Sequence, residues 1–169
     1  PSSVTRRCGS IGLNWGPNEF STDGTILRRV LAIMQDGSLT VSKVGEKIFM
    51  GREIIHLVFL HNAATTDFYT LVYQDGENGR AFAKKFQIGG LSRDKLYPLA
   101  KSDNSRIVYL HIAATEKAMP KSLQVLLDGR SGARVRELDF DLTRVPVSTR
   151  TAKGMTITKW AVTEVTQIE

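Results

Sequence analysis

The chain has 169 residues, 41% of them apolar, and its 23 Lys and Arg outweigh 17 Asp and Glu to give a formal charge of +6. This content suits the core of one globular domain or a short repeat array and excludes a highly charged disordered chain. The longest apolar run, Ile54 to Leu60, is interrupted by His56 and falls far short of the roughly 18 residues that span a bilayer.

The chain opens at Pro1 rather than Met, with Arg6 and Arg7 followed by no apolar stretch, so no secretory pattern is visible and it reads as part of something longer. Residues 1–27 are rich in Ser, Gly, Asn and Thr and lack periodicity, which predicts an arm or linker. Cys8 is the single cysteine, so no intrachain disulfide can form, and a reducing cytoplasm is the simplest setting.

From Arg28 the apolar spacing is two. Val30, Ala32 and Met34 alternate up to Asp36-Gly37, and Leu39, Val41 and Lys43 alternate after it, predicting a β-hairpin. Ile54 to His61 and Phe68 to Gln74 are continuous β-branched or aromatic runs, as expected of strands buried on both faces. A second hairpin runs from Phe68 to Ile88 through Asp75-Gly76, and Gly89 and Gly90 end it. Strands are predicted at Lys95 to Leu99 and Arg106 to Ala114, either side of the turn-like Lys101 to Ser105. A third hairpin pairs Ser122 to Leu127 with Ala133 to Leu142 across Asp128-Gly129, and further strands follow at Arg144 to Ser148 and Met155 to Ile168. Nowhere do apolar residues recur at helical spacing over three turns.

The hairpins repeat, and a segment around His61 echoes one around His111, which divides the chain into units of about 28–66, 67–119 and 120–169. Four short strands per unit is a propeller-like size. Three units are too few for an ordinary closed ring, so the expectation is an all-β, open or partial array of about three four-stranded blades, with strands shared between neighbours.

Specific stretches then carry a resemblance. Val41 to Val44, Lys47 to His56, Tyr69 to Gly79, Lys84 to Phe86, Ser92 to Tyr97, Phe140 to Leu142 and Lys153 to Lys159 together resemble the C-terminal domain of the A subunit of bacterial topoisomerase IV, in its Bacteroidetes-like form, from about residue 28 to the end. The resemblance implies a β-pinwheel, in which each blade lends a strand to the next. It also implies a basic rim that binds and bends double-stranded DNA to position the segment transported during strand passage. The catalytic tyrosine would lie elsewhere in that same polypeptide, and the ATP- and magnesium-dependent step would involve the separate ATPase subunit, within the bacterial cytoplasm at the nucleoid. No cofactor is implied for this domain itself. The related gyrase domain carries the pattern Gln-Arg-Arg-Gly-Gly-Lys-Gly; Ser148 to Gly154 keeps Arg150, Lys153 and Gly154 but lacks the Gln and the glycine pair, which argues against tight wrapping.

The strand after each Asp-Gly is basic. The predicted DNA contacts are Lys43, Lys47 and Arg52 in the first unit, Arg80, Lys84 and Lys85 in the second, and Arg130, Arg134, Arg136, Arg150, Lys153 and Lys159 in the third. Lys84 and Lys85 are adjacent in a strand, so they face opposite sides and only one can reach DNA. Contact with roughly six to ten phosphates implies a loss of about 10³ to 10⁵ in affinity between 50 and 200 mM salt, with little dependence on base sequence.

Other constellations carry less. Asp36, Asp75 and Asp128 suit tight turns, and calcium would require further oxygen ligands at alternating positions. His56, His61, His111 and Cys8 lack zinc-ligand spacing, no nucleophile elbow or phosphate-binding glycine loop occurs, and Trp160 reads as a core residue. The competing reading is a propeller-like protein-interaction module with no role in DNA binding, its basic charge serving an acidic partner surface.

Overall fold

The computed structural model describes residues 10–12, 29–43, 47–49, 53–60, 66–77, 79–91, 95–132 and 134–168. In chain order the strands are β1 (Ser10–Gly12), β2 (Arg29–Met34), β3 (Ser38–Lys43), β4 (Lys47–Phe49), β5 (Ile54–Leu60), β6 (Phe68–Gln74), β7 (Ala81–Gln87), β8 (Leu96–Pro98), β9 (Arg106–Ala113), β10 (Ser122–Leu127), β11 (Glu137–Asp141), β12 (Val147–Thr149), β13 (Met155–Thr158) and β14 (Val162–Ile168). Three single-turn 3-10 helices are interspersed, and no α-helix forms among the described residues.

Each predicted hairpin forms, and its turn chemistry is visible. Gly37 and Gly76 both take φ +87°, a conformation open to glycine at little cost. The Asp36 carboxylate accepts from the Ser38 amide at 2.9 Å, and the Asp128 carboxylate accepts from the Arg130 amide at 2.9 Å. Asp75 reaches further, accepting from the amides of Lys101 at 3.0 Å and Ser102 at 2.8 Å, and so fastens its own turn to the loop before β9.

The central strands β2, β6 and β10 each have the post-turn strand on one side and the unit's last long strand on the other, giving the orders β5-β2-β3, β9-β6-β7 and β14-β10-β11. Short strands then cross between units. β8, from the second unit, pairs antiparallel with the outer edge of β3, placing Leu39 opposite Tyr97. β12 and β13, from the third unit, share the outer edge of β7, β12 running parallel and β13 antiparallel. The sheets are open, and each of the first two is completed by a strand from later in the chain.

The second sheet is the middle layer. Alternation along β6 sends Tyr69, Leu71 and Tyr73 into a core shared with Leu31, Ile33, Leu39 and Val41 of the first sheet. On the opposite face Val72, Ala81 and Ala83 join a second core with Leu123, Val125 and Val165 of the third sheet. Burial on both faces is why Phe68 to Gln74 reads as an unbroken run rather than an alternating one.

Three expectations change. Residues 10–12, inside the expected linker, form β1 and pair with β4. The strand expected over 133–142 is shorter, β11 starting only at Glu137. The single strand expected over 155–168 is two, interrupted at Lys159-Trp160-Ala161, because β13 belongs to the second sheet and β14 to the third. Cys8, Trp15 and His61 lie outside the described residues.

Candidate nucleic-acid interface

The segment from Arg150 to Gly154, which bridges β12 and β13, is built from its carbonyl side. Lys84 Nζ donates to the carbonyls of Arg150 at 2.7 Å and Ala152 at 3.1 Å. Lys101 Nζ donates to the Thr151 carbonyl at 2.6 Å, and the Tyr73 hydroxyl donates to the Lys153 carbonyl at 2.6 Å. Four successive carbonyls are thus tied down by three side chains, the Lys153 side chain is left exposed, and its ammonium lies 4.9 Å from the Phe82 ring centroid. Gly154 takes φ +92°, and a Cβ there would run into the Ala83 carbonyl. Gly154→Ala should therefore destabilise the domain by about 1–3 kcal/mol, lowering the melting temperature by several degrees in a calorimetric scan; an unchanged melting temperature would show that the segment can lift away freely.

Lys84 itself is not on a rim. It is fully buried, donates a third hydrogen bond to the Leu99 carbonyl at 2.5 Å, and stands 5.4 Å from the ring centroids of both Tyr73 and Phe86. Burial, followed by the nearby positive charge of Lys101, pushes its ammonium down to about 8. Lys85 points to the other face and is 8% exposed. Burial lowers its pKa, against the opposing pull of Glu116 and Asp141. The expectation that the strand after each Asp-Gly presents a basic rim is therefore corrected for β7: strands flank both its edges and cores cover both its faces, so neither lysine is free to meet a phosphate.

Arg150 is also committed inward. Its guanidinium donates to the Ile88 carbonyl at 2.5 Å and stacks 4.9 Å over Tyr97, the half-buried member of the lent strand β8. Arg80, Arg130, Arg134, Arg136, Lys153 and Lys159 are exposed. Four of these gather at the turn end of the third sheet. Arg130 lies in the 3-10 turn Gly129–Ser131, the Arg136 guanidinium lies beside Gly129, and Arg134 and Lys159 line one open cleft with Val135, Leu138 and Trp160. Trp160 packs against the second core but keeps one face for the Lys159 ammonium, 4.9 Å from its centroid. Lys43 ends β3 and Lys47 opens β4, whereas Arg52 lies outside the described residues.

The sequence reading missed Lys101, an exposed cation fixed beside Lys153 by its bond to Thr151. Its turn-like surroundings drew attention to chain reversal rather than to charge. The inward roles of Lys84 and Arg150 were missed for another reason: their partners are backbone carbonyls far away in sequence, which leave no side-chain pattern.

Against known proteins, the family model described as the topoisomerase C-terminal domain of Bacteroidota matches residues 15–169. No curated protein and no solved structure matches the chain.

Proposed function

The chain belongs to the Bacteroidota topoisomerase C-terminal domain family, and from that membership we propose that it is the DNA-binding and DNA-bending module of the A subunit of a type IIA topoisomerase. On this reading the three sheets are blades of an open β-pinwheel, and the duplex follows their exposed cations so that the transported segment is delivered to the enzyme's gate. The observation that carries the proposal is the gathering of Arg130, Arg134, Arg136 and Lys159 at one end of the third sheet, with Lys101 and Lys153 on the segment beside β7. Such clusters recognise phosphates rather than bases. The Ser148 to Gly154 stretch lacks the gyrase glycine pair and has its arginine turned inward, which favours bending of the topoisomerase IV kind over tight wrapping.

The tyrosines support placing strand cleavage outside this chain. Tyr69 and Tyr73 are buried, and burial pushes the Tyr69 phenol up to about 12 and the Tyr73 phenol higher still. Tyr97 lies beneath Arg150, and burial also raises Tyr109. A phenol that must attack a phosphodiester needs the opposite environment. ATP, magnesium and the ATPase subunit then act through other parts of the holoenzyme.

The test is a duplex titration at several salt concentrations, comparing the wild type with a variant that combines Arg130→Glu, Arg134→Glu, Arg136→Glu and Lys159→Glu. The reversed protein should bind at least tenfold more weakly, with a log–log salt slope shallower by about 3 to 4. Equal affinity for both proteins would remove the DNA reading. One observation favours a protein partner instead: Val135 is 64% exposed and, with Trp160, gives the cleft between Arg134 and Lys159 an apolar floor. A peptide ligand there would bind with no steep salt dependence, which the same titration distinguishes.

A further inference from the structure

Lys84 combines two features that rarely occur together, full burial and a full set of donors in use. A buried ammonium is expensive to desolvate, and a position that needed only volume between Tyr73 and Phe86 would be better filled by Met or Leu. Its three N–H groups are matched by three carbonyls, of Leu99, Arg150 and Ala152. Leu99 directly follows the strand lent to the first sheet, while Arg150 and Ala152 lie between the two strands lent by the third unit. One ammonium in the middle sheet therefore holds both crossings.

The consequence for the surface is specific. With the carbonyls of residues 150–153 drawn inward and Gly154 pressed against the Ala83–Lys84 backbone, the outer side of the segment carries Lys153, beside Lys101. We propose that Lys84 is a positioning residue for the DNA contact: it pins residues 150–154 to β7 and so presents Lys153 and Lys101 to the phosphate backbone in a fixed arrangement. The proposal rests on the DNA reading above and says which buried residue makes one part of that surface rigid before DNA arrives, so that less ordering is lost on binding.

The charged groups around the ammonium are Lys101 and Lys153 on the segment side, the Arg150 guanidinium, which is directed to Ile88 and Tyr97, and the Tyr73 phenol, which stays neutral because burial raises it. At neutral pH Lys84 is an ammonium with three donors. Above about 8 it becomes an amine with two donors facing three carbonyls, so one tie to the segment is lost. Global stability moves the other way. The unfolded chain keeps this proton up to its ordinary value of 10.5 while the folded chain releases it near 8, so the group's contribution makes folding more favourable as pH rises across that window. A loss of affinity there would not be unfolding.

The test uses the 169-residue chain and a short duplex of mixed sequence at constant ionic strength. Raising the pH from about 7 to 9.5 should weaken wild-type binding about fivefold, since neither arginines nor phosphates titrate in this range. Lys84→Met, which keeps the volume but removes the donors, should bind about tenfold more weakly at pH 7, show a flat pH profile, and be cut faster by trypsin after Arg150 and Lys153. A folded Lys84→Met protein with wild-type affinity and wild-type cleavage would overturn the proposal. If that variant fails to fold, the wild-type profile decides, and a flat one overturns it. Wild-type protein that binds no duplex at any salt would sink the DNA reading as well, whereas wild-type binding with an indifferent Lys84 would sink the positioning role alone.

Discussion

Between 50 and 200 mM salt the affinity of the chain for duplex DNA should fall about a thousandfold. Six of the cations predicted from sequence are exposed among the described residues: Arg80, Arg130, Arg134, Arg136, Lys153 and Lys159. If each neutralises one phosphate, counterion release gives a log–log slope near −5, and a fourfold rise in salt then weakens binding by about 10³. This is the lower end of the range expected from composition, because Lys84 and Lys85 are buried and Arg150 is committed to Ile88 and Tyr97. A fluorescence-anisotropy titration at four or more salt concentrations measures the slope directly. A slope shallower than about −2 would mean that the duplex touches only one cluster, and a slope near zero would discard phosphate recognition altogether. Changing the base sequence at fixed length and salt should alter affinity little, except through the stiffness of the duplex being bent.

Phe86→Ala should destabilise the domain by about 3–5 kcal/mol, a large fraction of the roughly 5–15 kcal/mol typical of a whole fold. The ring is fully buried, stacks on Tyr69 at 5.5 Å with 14° between planes, and forms one wall of the Lys84 site. Truncation removes the transfer free energy of the ring, opens a cavity between the first and second sheets, and strips one face from the buried ammonium. Chemical denaturation should show a midpoint shift of this size. Phe86→Leu, which retains most of the volume, should lose less than half as much. Equal losses in the two variants would show that the ring's contribution is its aromatic face rather than its volume.

Much of the architecture was legible in the sequence because hairpins are local. Asp36-Gly37 and Asp75-Gly76 place an acid that can bond nearby amides before a residue that tolerates positive φ, and the flanking alternation fixes which strands pair. The repeat then predicts three sheets. The lent strands were legible only in outline. Leu96–Pro98 and Val147–Thr149 are three residues each, too short to show a period, and they pair with partners more than fifty residues earlier. The candidate site was legible as a set of charges but not as a surface. Adjacency shows that Lys84 and Lys85 face opposite ways, but it cannot show that both directions lead into cores. Arg150 and Lys153 sit in one short motif and yet end with opposite roles, one stacked beneath the surface on Tyr97 and one exposed over Phe82. That difference is made by distant carbonyls and rings.

The backward loan of strands also sets an order of assembly during synthesis. The first sheet has its outer edge covered once Leu96 to Pro98 has emerged, but the second waits for residues 147–158, so β7 is made long before its edge is protected. Until then Lys84 has Leu99 as an acceptor and lacks Arg150 and Ala152. A chain paused on the ribosome in the third unit would carry an unpaired strand edge beside a half-satisfied charge, the state most exposed to pairing with another nascent copy. The middle sheet is thus the best buried part of the finished domain and the last of the first two to be closed.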